Sequence, residues 1–164
     1  NAGEVWTLYF ARRYDEGIER GRRIAELNPQ FAEIQEYLKR CYDQKGMYRE
    51  AVTARQLRRK FVGLDAAETV ALKDAATANN PKDYWRKRLE QELAEARNES
   101  PAAFNLAEIY AQLGEKDTAF EWLEKAVDQR HYEVMYLRVA PNLDPLRSDA
   151  RFADSLRRVG FLAD

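Results

Sequence analysis

Apolar side chains recur three or four positions apart along most of this chain, the spacing that builds one buried stripe on an α-helix. Ile34, Leu38, Cys41 and Tyr42 form one such stripe, Leu106 and Tyr110 another, and Trp85, Leu89, Leu93 and Ala96 a third. The pattern predicts helices near 4–12, 14–27, 32–45, 47–61, 66–78, 82–97, 101–113 and 116–129, with a short helical turn at 132–138. Pro81 after Asn79-Asn80 reads as a cap followed by a helix start. Pro141 and Pro145 predict a loop. A last helix then begins after Ser148 and ends at Gly160, with Phe152, Leu156 and Val159 on one face. Asn1-Ala2 reads as the remnant of an expression tag, and Glu4–Arg13 as a helix already under way with no cap before it. A fragment of a longer polypeptide is the expectation.

A second, longer period lies over the first. Leu38, Leu72 and Leu106 are 34 residues apart, as are Gly17, Ala51, Trp85 and Ala119. Gly46, Asn80 and Gly114 keep the same interval, and so do Tyr42, Ala76 and Tyr110. Each column has a physical reason. Two antiparallel helices approach closely where a small residue sits at their crossing, the place of Gly17, Ala51 and Ala119. Chain reversal after the first helix calls for a left-handed residue, supplied by Gly or Asn. One such hairpin cannot bury its apolar face alone, whereas stacked copies can.

The segment Asn105–Ala126, NLAEIYAQLGEKDTAFEWLEKA, resembles the tetratricopeptide repeat, a helix–turn–helix unit of 34 residues. Leu106 and Ala107 stand at its Leu-Gly/Ala pair, Tyr110 at the aromatic position and Gly114 at the turn. Ala119, Leu123 and Ala126 follow at the positions of the second helix. RRYDEGIERGRRIAELNP shows the second half of the pattern and ends in Pro29; YLKRCYDQKGMYREAV matches through Ala51 and then departs. The tail PNLDPLRSDARFADSLRRVGF is similar to the endings of tetratricopeptide regions in bacterial signalling proteins. The resemblance implies an all-α helical-hairpin solenoid, a superhelix with a C-terminal capping helix. Four hairpins would occupy 3–133, the first truncated and the third degenerate, with a capping segment over 134–164.

Two departures bear on packing. Trp85 stands where a small residue is expected, which predicts a splayed or shifted third hairpin. Residues 55, 58 and 59 are all arginine where the second hairpin should have core positions, so its second helix is expected to roll onto Ala51, Ala54, Leu57 and Phe61.

Composition narrows the chemistry. Ala, Glu, Lys, Leu and Arg make up 84 of 164 residues, and Val, Ile and Thr only 17, which disfavours a large sheet. A single Cys and a single His exclude an internal disulfide, a cysteine-rich zinc site and a two-histidine metal motif. Cys41 sits in a helical stripe and His131 follows the last repeat, so core and turn roles outweigh a catalytic dyad. No glycine cluster forms a phosphate loop, and Gly17/Gly21 indicate close helix packing. No apolar run is long enough to span a bilayer. A net charge of −1 removes the bulk argument for nucleic acid. Arg55, Arg58, Arg59 and Lys60, with Arg86, Lys87 and Arg88 a repeat later, read as solvated faces partly paired with Asp65 and Glu68 rather than as an anion patch.

What remains is a surface for a partner. In the tetratricopeptide family the first helix of each hairpin lines a concave groove. Carried over by column, the resemblance implies partner contacts from Glu33, Glu36, Tyr37, Arg40 and Gln44, then Asp74, then Phe104, Asn105, Glu108 and Gln112, with Val70 and Thr77 beside Asp74. The family's carboxylate clamp of lysines and asparagines is matched only at Asn105, so that ligand is set aside. Trp6, Tyr9 and Phe10 also fall on this face, but a missing upstream repeat accounts for them better than ligand contact, and predicts partial exposure or self-association through that end. The expectation is a non-catalytic, cytoplasmic protein-interaction or scaffolding module of a larger bacterial regulatory protein, binding a peptide or partner helix without cofactor or metal. An RNA-binding helical array is the alternative, set back by the period of 34 rather than 35 and by the groove's lack of basic character.

Overall fold

A computed structural model describes residues 1–63, 70–77, 80–95 and 102–162, and among them there is no strand. The helices are α1 (Ala2–Phe10), α2 (Tyr14–Leu27), α3 (Ala32–Gln44), α4 (Tyr48–Phe61), α5 (Val70–Thr77), α6 (Pro81–Glu95), α7 (Ala103–Leu113), α8 (Lys116–Asp128) and α9 (Ala150–Arg158). Two 3₁₀ helices, Tyr132–Tyr136 and Pro141–Leu146, lie between α8 and α9. The all-α helical-hairpin fold is as the periodicity implies. The expected extensions at 66–69, 78 and 96–97 and the start at 101 lie outside the described residues.

Local chemistry sets the helix ends. α1 starts at Ala2, capped by Asn1, whose Oδ1 accepts from the Gly3 amide at 3.1 Å, so this helix does have a cap. Asn80 does the same for α6, accepting from the Lys82 amide at 3.1 Å with Pro81 in the first turn. Gly46 and Gly114 close their first helices at φ of +69° and +83°, and an added Cβ would meet nothing there, so conformation rather than space requires glycine.

The chain divides into two compact units, Asn1–Tyr84 and Trp85–Asp164. In the first, α1 packs on α2 and α3, α2 on α3, α3 on α4, and α4 on α5. Its core includes Val5, Tyr9, Ile34, Cys41, Ala51 and Leu72, all fully buried. Tyr84, at the start of α6, closes this unit by stacking on Tyr48 at 4.3 Å and donating to Asp43 Oδ1 at 2.6 Å. The segment expected as a third hairpin is thus divided between units, α5 in the first and α6 from the buried Trp85 onward in the second.

The predicted roll of α4 needs correcting. Ala51 and Ala54 are buried as expected, but Leu57 is exposed, and Val52 and Arg59 are buried instead. A helix touched by neighbours on two sides, here α3 and α5, buries two stripes. Arg59 therefore does not belong to a solvated face.

In the second unit α7 packs on α8, and the core joins Phe104, Ala107, Phe120, Leu123, Leu137, Leu143, Leu146 and Phe152. The segment read as a proline loop is the second 3₁₀ helix, and it lies against α7. Leu143 and Leu146 are fully buried in the core of this unit, and Pro141 at the helix start has no amide hydrogen to leave unpaired. α9 packs on α8 through Phe152, with Leu156 and Val159 half-buried, so the capping helix is where the pattern puts it.

Candidate functional site

The first unit carries an aromatic face along α1 and α3. Trp6, Tyr9 and Phe10 lie one turn apart on α1, and Tyr37 and Arg40 one turn apart on α3. Trp6 stacks on Tyr37 with ring centroids at 4.9 Å and on Tyr9 at 5.3 Å, and meets Phe10 edge-on at 4.5 Å. The Arg40 guanidinium lies over the Trp6 ring, 5.4 Å from its centroid. Tyr9 is fully buried, whereas Trp6, Phe10 and Tyr37 are half-buried. The expected partial exposure thus holds for Trp6 and Phe10 but not for Tyr9, because α3 supplies much of the cover.

Glu36 organises the charges behind these rings. Its Oε1 accepts from Lys39 Nζ at 2.7 Å and from Arg40 Nε at 3.1 Å, and its Oε2 faces Arg58 Nε of α4 at 3.6 Å. Burial pushes the Glu36 carboxyl up, but Lys39, Arg40 and Arg58 together outweigh it and hold the group well below the ordinary carboxylate range. Charge-assisted hydrogen bonds of this kind are directional, so Glu36 fixes Arg40 in place over Trp6. Sequence reading placed Glu36 and Arg40 on the face as ligand contacts. Their structural role was legible in the i, i+3 and i, i+4 spacing from Glu36 to Lys39 and Arg40.

The other predicted positions separate into two groups. Glu33 and Asp74 are exposed, and Gln44 is half-buried beside Tyr14, whose hydroxyl reaches its Oε1 at 3.4 Å. In the second unit Phe104 and Glu108 are buried, at 2% and 4% exposure. Gln112 donates from Nε2 to the Asn142 carbonyl at 2.8 Å, and Asn105 is half-buried. The face of α7 proposed for a partner is therefore occupied in part by the chain's own second 3₁₀ helix. A second apolar segment after the last repeat, with Leu143 and Leu146, was the available signal.

The basic cluster is dispersed. Arg58 is turned to Glu36, Arg59 is buried, Lys87 pairs with Glu90 at 2.6 Å, and Arg88 lies 5.9 Å over the Trp85 ring. Asp65 and Glu68, expected to pair with it, lie outside the described residues. Burial, with Asp43 nearby, pushes the Cys41 thiol up to about 12, which suits a core residue rather than a nucleophile. Cys41 and His131 lie in different units. Among the described residues, no group of three or more His, Cys, Asp or Glu is placed to hold a metal ion, and no helix is long and apolar enough to cross a membrane.

Residues 100–130 match the family model of the tetratricopeptide repeat, the segment that holds α7 and α8. The chain therefore carries a tetratricopeptide repeat there, within an all-helical fold. Comparison with curated proteins and with solved structures gives no match.

Proposed function

We propose that the chain is a non-catalytic protein-interaction module that takes a peptide or a partner helix on the α1/α3 face, as part of a larger bacterial regulatory protein. One observation supports the reading most: half-buried Trp6, Phe10 and Tyr37 form a continuous aromatic array with Arg40 already locked by Glu36. Large, pre-ordered aromatic and arginine side chains contribute most of the affinity at protein interfaces, because little side-chain entropy remains to be lost. The tetratricopeptide repeat at 100–130 supports the same class of work. Glu33 and Gln44 would set the polar rim, while Phe104, Glu108 and Gln112 serve the second unit's own packing.

The test is selection from a displayed peptide library, with binding followed by Trp6 fluorescence. Tyr37→Ala combined with Phe10→Ala, both half-buried, should weaken selected peptides at least about tenfold, or 1.4 kcal/mol, while exposed Lys60→Glu leaves them unchanged. Helical content by circular dichroism should stay the same. Loss of binding in Lys60→Glu alone, or binding that collapses steeply with salt, would favour a basic face and the RNA-array alternative.

A further inference from the structure

A groove of about 640 Å³ opens on the opposite side of α3 from the aromatic face. α2 and α4 form its walls and α3 its floor. Gln35, Leu38 and Tyr42 follow one another along the floor at three- and four-residue spacing, and Ala54, Leu57 and Phe61 line the α4 wall. Gln35 is out of keeping with these neighbours. It is only 5% exposed, yet its carboxamide forms no hydrogen bond with any described residue. Tyr42 is different, since its hydroxyl accepts from Arg22 Nε at 2.9 Å. A buried amide without partners costs stability that an apolar residue of the same length would not. Two donors and one acceptor on the floor of an apolar groove are therefore set to be met from outside the chain.

We propose that this groove binds an extended peptide segment, with Gln35 pairing to the segment's main chain. An α-helix satisfies its own amides and carbonyls internally and leaves none for Gln35 along its length. An extended chain presents the N–H and C=O of one residue on the same edge, and a carboxamide can donate to one and accept from the other. Leu38, Ala54, Leu57 and Phe61 then take the apolar side chains. From Arg49 to Phe61 the α4 wall runs about 18 Å, room for five or six residues at about 3.3 Å each. The charges give the segment a direction. Glu26, near the end of α2, and Arg49, at the start of α4, both line the groove and form no ion pair with another described residue. α2 and α4 both run against α3, so these two charges mark opposite ends. The fitting segment is apolar in its middle, cationic at the Glu26 end and anionic at the Arg49 end. Trp6, Phe10 and Tyr37 do not line this groove, so it stands or falls separately from the function proposed above.

The probe is a displayed library in which a short apolar stretch lies between one Lys and one Glu, in both orders. The best sequence is then made as a capped peptide and titrated calorimetrically against the whole chain. Gln35→Met keeps the side chain's length and removes its amide. It should weaken the peptide at least about tenfold while the urea midpoint of the free chain stays the same or rises. Methylating the peptide's main-chain nitrogens one at a time should cost a similar factor at a single position, the one that pairs with Gln35. Leu57→Asp, at an exposed position on the α4 wall, should weaken the peptide without a loss of helical content. A peptide indifferent to both Gln35→Met and N-methylation would overturn the proposal, as would a library that yields no binder or only helix-forming sequences. A lowered urea midpoint in Gln35→Met would do the same, by showing that the amide is paired within the fold. A peptide weakened by Phe10→Ala but not by Gln35→Met sits on the aromatic face, which overturns this proposal and leaves the function above intact.

Discussion

Glu36 shows how one side chain can tie a helix face together through three cations at once. Three cations surround a carboxylate whose folded pKa lies below its unfolded value of about 4.3. A depressed folded pKa contributes stability above the unfolded value, and that contribution is lost as pH falls toward the folded value. Glu36→Gln should therefore destabilise the chain at neutral pH, with the gap to the parent protein narrowing progressively as pH falls below about 5. Urea melts across that range measure it, and a gap that stays constant with pH would assign the loss to packing alone. Gly21 poses the opposite question, of space. A Cβ added there would stand 2.7 Å from Leu38 Cδ2 and 2.9 Å from its Cγ, inside any normal contact. Replacing a helical glycine by alanine gains about 1 kcal/mol of helix propensity, but overpacking a buried leucine costs about 1–3 kcal/mol. Gly21→Ala should thus be net destabilising, read as a lowered urea midpoint. The GxxxG spacing of Gly17 and Gly21 announced close packing in the sequence, but which leucine filled the gap was not legible, because it sits one hairpin away.

Helix positions were legible because their ends carry local chemistry: glycine at positive φ after α3 and α7, and Asn80-Pro81 before α6. The segment Pro141–Leu146 was misread for a related reason. Its prolines argue against an α-helix, and the pattern says nothing of a 3₁₀ helix whose leucines are buried by a neighbour. That segment, and not α9 alone, completes the second unit. Leu143→Ala and Leu146→Ala, at fully buried positions, should each cost about 2–5 kcal/mol, and Leu156→Ala, half-buried on α9, distinctly less. Chemical denaturation of the three variants decides it, and an equal or larger loss for Leu156→Ala would return the capping role to α9. The same element explains why α7 was a poor place to look for ligand contacts. A face read as open from one repeat alone is partly taken by a residue 30 positions downstream.

At the scale of the molecule, a strict 34-residue period suggests one uniform stack, yet the chain divides inside the third hairpin. Trp85, the one large residue in the small-residue column, marks the place: Tyr84 closes the first unit, and Trp85 opens the second. The anomaly was legible as a residue, but its consequence was not, since a period reports which residues correspond and not which contacts bind them into one cooperative body. Repeat proteins owe their stability to nearest-neighbour contacts, so a core loss should be felt first within its own unit. Ile34 and Leu106 are both fully buried, one in each unit, and their truncations to alanine should be comparable in size, about 2–5 kcal/mol. Amide hydrogen exchange followed by mass spectrometry then has a clear expectation. Ile34→Ala should speed exchange mainly in α1–α4, and Leu106→Ala mainly in α7–α9. Acceleration spread evenly over both units in either variant would mean that the chain opens as a single cooperative body, and that the division at Tyr84 describes contacts without describing stability.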